Sequence, residues 1–265
     1  MRFRLKGKKD FISVSLVLQE LKFLANNKHL VSMAKFGIKP KTKVYGVPVP
    51  ALRKIAKIIK ITVKEDIGRH ALALKLWDSG IHEARLLASF IDEITLVTQK
   101  QFKNWVLGFD SWDICDQVCG NLFWKISFIP KKTRAPFFKG ARPSTQIGNL
   151  SALVFTLSKK KPEFVKRTAF ALIAYLAVHN KKLKDSDFIN FFPIIKRESI
   201  DQRNFVKKAV NWALRQIGKR NKNLNIKAIR LAREIVKIDS KSAKWIAKSA
   251  ITELESQQIQ QRFNN

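Results

Sequence analysis

Two cysteines in 265 residues cannot build a disulfide framework. Four histidines, His29, His70, His82 and His179, are scattered without ligand spacing, so no metal site is expected; the chemistry read below calls for no organic cofactor either. Eight prolines and ten glycines leave few breaks for turns. No apolar run reaches the ~20 residues that span a bilayer. The opening stretch is basic but carries Asp10 and Glu20 and lacks a small-residue cleavage site, so no signal peptide is expected. Acid is scarce: 20 Asp and Glu stand against 52 Lys and Arg, for a formal charge of +32. A hydrophobic content of 46% is enough for a core. The cation excess therefore belongs to a folded protein and implies a polyanionic partner, nucleic acid ahead of an anionic membrane.

Helical periodicity fills the space that turns leave. In "PALRKIAKII" the residues Leu52, Ile55, Ala56 and Ile59 fall on one stripe. "EFVKRTAFALIAYLA", "NFVKKAVNWALRQIG" and "KWIAKSAITELES" repeat that habit, and no stretch alternates as a strand would. Phe164 to Phe205 is 41 positions and Phe205 to Trp245 is 40, while Arg85 precedes Arg167 by 82. A period near 40 predicts HEAT or armadillo repeats. The expected fold is all-α: one domain over 1–265, a solenoid of antiparallel helix pairs with a concave basic groove. Arg85, Arg167, Lys208 and Lys248 would sit at one offset and line its face.

Charge is blocked along the chain. No acid occurs between Glu20 and Glu65, a span with eleven Lys or Arg, nor between Asp116 and Glu163, a span with nine. Duplex DNA carries one negative charge per ~1.7 Å of axis, and acid-free basic tracts suit it. Residues 131–148, "KKTRAPFFKGARPSTQIG", contain Pro136, Gly140, Pro143 and Gly148 and read as a basic loop that interrupts helix.

Against this background "FDSWDICDQVCG" stands out, because Asp110, Asp113 and Asp116 fall within seven residues, around Trp112, Cys115 and Cys119. A helix over 111–123 would start at Ser111, with Asp110 as a competing cap, and would place Asp113 in its first turn, where a carboxylate suits the helix dipole. The two cysteines, four apart, read as buried thiols. Asp116 is left over. It lies one turn beyond Trp112 and shares its face, and Phe123 follows seven further on. A carboxylate beside an indole repels phosphate and attracts a cation.

The stretches "YGVPVPALRKIAK" (45–57), "ALKLWDSGIHEARLLASFID" (73–92), "SWDICDQV" (111–118), "FVKRTAF" (164–170) and "FVKKAVNWALRQIGKRN" (205–221), in this order, resemble the DNA alkylation repair proteins of the AlkD type, which are HEAT-like-repeat DNA glycosylases. The resemblance implies binding of duplex DNA and excision of purines alkylated at N3 or N7, without the base flipping usual for glycosylases. It implies that Trp112 and Asp116 are the catalytic pair, that Trp212 is a second catalytic tryptophan which brackets the deoxyribose with Trp112, and that Arg167 contacts phosphate. Tyr45 matches an aromatic position at the start of the groove. Lys166, Lys208, Arg215 and Arg85 are the further expected DNA contacts. The loop at 131–148 looks longer than the family pattern.

The chemistry is coherent with that assignment. An N3- or N7-alkylated purine is already a cationic leaving group. As its bond breaks, charge moves onto the sugar as an oxocarbenium ion, which a carboxylate stabilises. A solvated aspartate, with pKa ~3.9, is ionised at neutral pH. Tryptophan faces add contacts that favour a cation. Trp77, Trp105, Trp124 and Trp245 are expected to be core or packing residues. The protein should be a cytoplasmic monomer, nucleoid-associated if bacterial, with double-stranded DNA as partner and neither a membrane nor an obligate protein partner. Two other readings stay open: a DNA-binding solenoid that does not excise, and a HEAT scaffold for acidic proteins.

Overall fold

The computed structural model describes residues 12–128 and 146–263. The chain divides into two compact units, Met1–Lys139 and Gly140–Asn265. Among the described residues there is no strand, only an isolated parallel bridge between Lys43 and Ile81.

The first unit holds α1 (Val14–Phe23), α2 (Asn27–Lys35), α3 (Val49–Thr62), α4 (Asp66–Asp78), α5 (His82–Ile91), α6 (Gln99–Leu107) and α7 (Trp112–Asn121). Ser13, Asn26 and Thr98 cap α1, α2 and α6 through their side-chain oxygens. Pro50, in the first turn of α3, has no use for an N–H there. The predicted stripe Leu52, Ile55, Ala56 and Ile59 is buried, and α3, α4 and α7 all pack against α5. Trp77 and Trp105 stack face to face in this core, 4.2 Å between ring centres.

The second unit holds α8 (Gln146–Ser158), α9 (Glu163–His179), α10 (Asp185–Ile189), α11 (Phe192–Glu198), α12 (Asn204–Gly218), α13 (Lys222–Ile235), α14 (Lys241–Leu254) and α15 (Gln257–Gln261). The predicted repeat is visible here. Phe164 and Phe205 are each the second residue of their helix and meet at 5.6 Å. The helices α9 and α12 pack along each other, and α12 packs on α13 and α14. Buried asparagines tie successive helices: Asn211 donates to the Ile246 carbonyl at 3.0 Å, and Asn225 to those of Gly218 (3.1 Å) and Leu254 (3.2 Å). At Gly218 a Cβ would stand 2.6 Å from a Leu254 methyl, so a larger residue there would have to displace the end of that side chain.

Two sequence expectations need correction. The helix expected over 111–123 ends at Asn121, and Phe123 opens a 3-10 turn over Phe123–Phe128, where it packs at 4.4 Å on Phe102. The loop expected at 131–148 lies outside the described residues as far as 145, but 146–148 belong to α8, which carries Gly148 within it. One internal glycine costs a helix only ~1 kcal/mol, which packing overrides. Trp245, expected as a core or packing residue, is 41% exposed and packs under Lys207. Cys115 and Cys119 are buried and form no disulfide, as expected.

Candidate active site

The acids around α7 take different partners. Asp110 turns away from the helix start and accepts the N–H groups of Lys41 (2.9 Å) and Thr42 (3.1 Å). Ser111 is the N-cap by backbone conformation, yet its hydroxyl bonds no helix N–H and donates to Asp113 Oδ1 at 2.6 Å. The other oxygen of Asp113 faces His82 Nε2 at 2.8 Å. The imidazole is fully buried at the start of α5. Burial pushes the Asp113 carboxyl up, but the bond and charge of His82, with Ser111, bring it below its ordinary range. Burial likewise pushes His82 down, and Asp113, with Glu83 and Asp110, raises it above 6.5 overall. Asp113 is thus half of a buried pair joining α7 to α5, more than the dipole partner that its position suggested.

Glu83, next to His82, does similar work. Its buried carboxylate accepts the N–H groups of Tyr45 (3.0 Å), Gly46 and Val47 (3.2 Å). Gly46 permits this cradle. Its φ is +76°, and a Cβ there would stand 2.4 Å from the Asn26 carbonyl. Neither Glu83 nor His82 was among the expected site residues. The signal was present as an adjacent His–Glu pair opening a helix, but their partners lie 31 to 38 residues away.

On this frame Trp112 begins α7, half-buried, and its indole N–H donates to the Phe36 carbonyl at 3.1 Å. Asp116 follows one turn later, also half-buried. A cavity of about 290 Å³ lies beside the indole, lined by Phe36, Met33, Pro48, His82, Asp113 and Gln117 among others. Tyr45 is half-buried, with Lys43 Nζ 5.4 Å from its ring centre. Trp112, Asp116 and Tyr45 therefore belong to one framework in the first unit.

The other expected residues, apart from Arg85, belong to the second unit. Trp212 on α12 is half-buried and meets Tyr175 of α9 edge-on at 5.1 Å. Turning over the Gln216 amide lets its oxygen accept from the Trp212 indole at 3.1 Å. Lys208, one turn before Trp212, is exposed. Arg215, one turn after it, pairs with Glu253, which Lys219 also meets at 2.7 Å.

The equal offset of the cations does not give equal surroundings. Arg167 is only 5% exposed and donates to the Phe205 carbonyl at 2.6 Å. Arg85 reaches the Gly108 carbonyl at 3.2 Å and lies over the Trp77 ring. Lys166 is held by Glu198 and by Asp201 at 3.1 Å. These side chains bridge neighbouring helices, because a guanidinium or ammonium beside a helix end finds carbonyls and carboxylates within reach. Of the four repeat cations, Lys208 and Lys248 are exposed.

Among the described residues no group of three or more His, Cys, Asp or Glu is placed to hold a metal ion, and no helix is long and apolar enough to cross a membrane.

Comparison with known proteins gives these features a context. No curated protein matches the chain. One solved structure superposes with a TM-score of 0.64 at 19% identity, covering 89% of this chain and 93% of its own. It represents a family described as related to the HEAT-like repeat DNA glycosylases, with affinity for branched DNA structures. That likeness shows the HEAT-like fold. A designed armadillo repeat protein in complex with a (KR)4 peptide matches at 18% identity over 78% of this chain and 91% of its own, with a TM-score of only 0.40. The sequence profile described as DNA alkylation repair enzyme matches residues 17–254, nearly the whole chain. The chain belongs to the DNA alkylation repair enzyme family.

Proposed function

We propose that this protein binds duplex DNA and hydrolyses the N-glycosidic bond of purines alkylated at N3 or N7. The observation that carries the reading is the Trp112–Asp116 pair: an indole pinned by the Phe36 carbonyl, with a half-buried carboxylate one turn further along α7. Asp116 stabilises the oxocarbenium charge that develops on the sugar and orients the attacking water. Trp112 offers its face to the same cation. The alkylated base leaves as a neutral species, so no general acid is needed. Trp212, Tyr45 and the exposed Lys208 serve as DNA contacts. For Arg167, Arg85, Lys166 and Arg215 we propose contact with phosphate only through whatever part of each fork or ammonium its internal partners leave over.

The test is single-turnover release of N7-methylguanine from methylated duplex DNA. Asp116→Asn should cut the rate by roughly 10² to 10³, about 3–4 kcal/mol, while DNA affinity holds. Asp113→Asn should instead lower stability, on the order of 3 kcal/mol, by stranding the buried His82. Its rate per folded molecule should stay within about tenfold. Equal rate losses for the two aspartates would move the site off Asp116. A second reading, binding of branched DNA without excision, is favoured by what the structural neighbour is described as binding. A wild type that releases no alkylated base yet prefers a four-way junction to a duplex would select it.

A further inference from the structure

On α3, Arg53, Lys57 and Lys60 stand at i, i+4 and i+7, one stripe of three cations along the helix. Like charges at these spacings repel and weaken a helix. A fourth cation, Lys125, comes from the turn after α7, and the four line a trench of about 450 Å³ with Phe90 and Asn121. Among the described residues no ion pair involves any of the four.

The trench is also organised. The Arg53 guanidinium lies over the Phe90 ring at 4.7 Å, and Nη2 reaches Asn121 Oδ1 at a long 3.4 Å. Lys57, Lys60 and Lys125 are exposed at the rim. Burial of its stem, then Lys125 and Arg69, hold the Lys60 ammonium below its ordinary range, and burial does the same for Lys125. Glu93 acts favourably on both, but it also lies 3.8 Å from Arg69. An arrangement that gathers four cations around a stacked guanidinium, with one carboxylate near them and no ion pair among them, is completed by an anion.

We propose that this trench is a phosphate site that holds the backbone of a DNA strand. Its dimensions suit several phosphates better than one. Arg53 to Lys60 covers seven residues, or roughly 10 Å of helix at ~1.5 Å each, and a strand presents a phosphate every ~3.4 Å of axis. Arg53 supplies a planar fork for two oxygens, and the lysines supply point charges on either side. None of the four was among the DNA contacts expected from the sequence. The proposal deepens the DNA reading and rests on its binding half alone.

The experiment compares Lys60→Gln/Lys125→Gln with Lys100→Gln/Lys103→Gln, which removes the same charge from exposed positions on α6. Fluorescence anisotropy of a labelled undamaged duplex, titrated over a salt series, gives the slope of log K against log salt. Each neutralised phosphate contributes roughly −0.9. The trench variant should flatten the slope by between about one and two units, and the control by less than half a unit. Its melting temperature should hold or rise, since repulsion is relieved; a structural role predicts a fall. A second arm titrates inorganic tripolyphosphate against wild type and variant by calorimetry. Equal slopes for the two variants overturn the proposal, even where tripolyphosphate binds the wild type, because the site then takes a free phosphate compound. A wild type that excises bases, paired with an unchanged trench variant, sinks only this proposal. A wild type that excises nothing but loses slope in the trench variant sinks only the glycosylase reading.

Discussion

In the first unit the carboxylates of Glu83 and Asp110 accept backbone N–H groups of one segment, residues 41–47. In the second, Glu198 and Asp201 meet Lys166 of α9, and Glu253 meets Arg215 of α12, while Arg197 and Arg203 pair with them from within the same stretch of chain. A main-chain donor cannot swing away, so a carboxylate that serves several of them fixes a loop in one place. A lysine or arginine can rotate to water, and its pairing is worth less. The first arrangement shapes the chain beside Trp112. The second joins helices that the hydrophobic repeat already stacks.

The sharpest way to break this contrast is Glu83→Gln. The amide replaces one acceptor by a donor facing N–H groups in a buried place, at a cost of about 3 kcal/mol. Chemical denaturation should show that loss, with no comparable loss for Glu253→Gln. Equal costs would erase the distinction. A smaller effect is expected at Arg167. Arg167→Met keeps the stem and removes the donor to the Phe205 carbonyl, so stability should fall by about 1–3 kcal/mol. Lys208→Gln, at the equivalent offset but exposed, should stay within ~0.5 kcal/mol. If the two substitutions cost the same, their shared position in the repeat outweighs their surroundings.

The smallest effect is the pH dependence that Asp201 adds in the second unit. Burial pushes the Asp201 carboxyl up, but Arg203 and then Lys166 bring it to about 2 from the ordinary 3.8. A depressed carboxyl contributes stability that is complete above 3.8 and is lost as pH falls through about 2. After allowance for solvent screening this amounts to on the order of 1 kcal/mol. Melting curves between those limits should show it, and Asp201→Asn should remove it. A variant with the wild-type pH profile would assign the dependence to another acid.

The helices and their repeat were legible because hydrophobic spacing is a local property. Leu52, Ile55, Ala56 and Ile59 could be placed on one face without knowing what they pack against. The same holds for Trp112 and Asp116, which share a helix. What each polar group bonds to was not legible. His82 and Asp113 are 31 residues apart, and Lys166 and Asp201 are 35 apart, so nothing in either segment announces the other. Arg167 and Lys208 show the limit best. Spacing made them equivalent, but one guanidinium fits between helices and donates to a carbonyl while the other cation points to water.

Asn225 has a consequence for how the second unit opens. Its amide bridges the last residue of α12 and the last residue of α14, reaching both carbonyls from inside α13. Fraying of either helix end strands half of that amide in a buried place, which penalises opening one end alone. The three helices are thereby clasped together, and their slowest-exchanging amides are expected to share a single opening event instead of unzipping repeat by repeat.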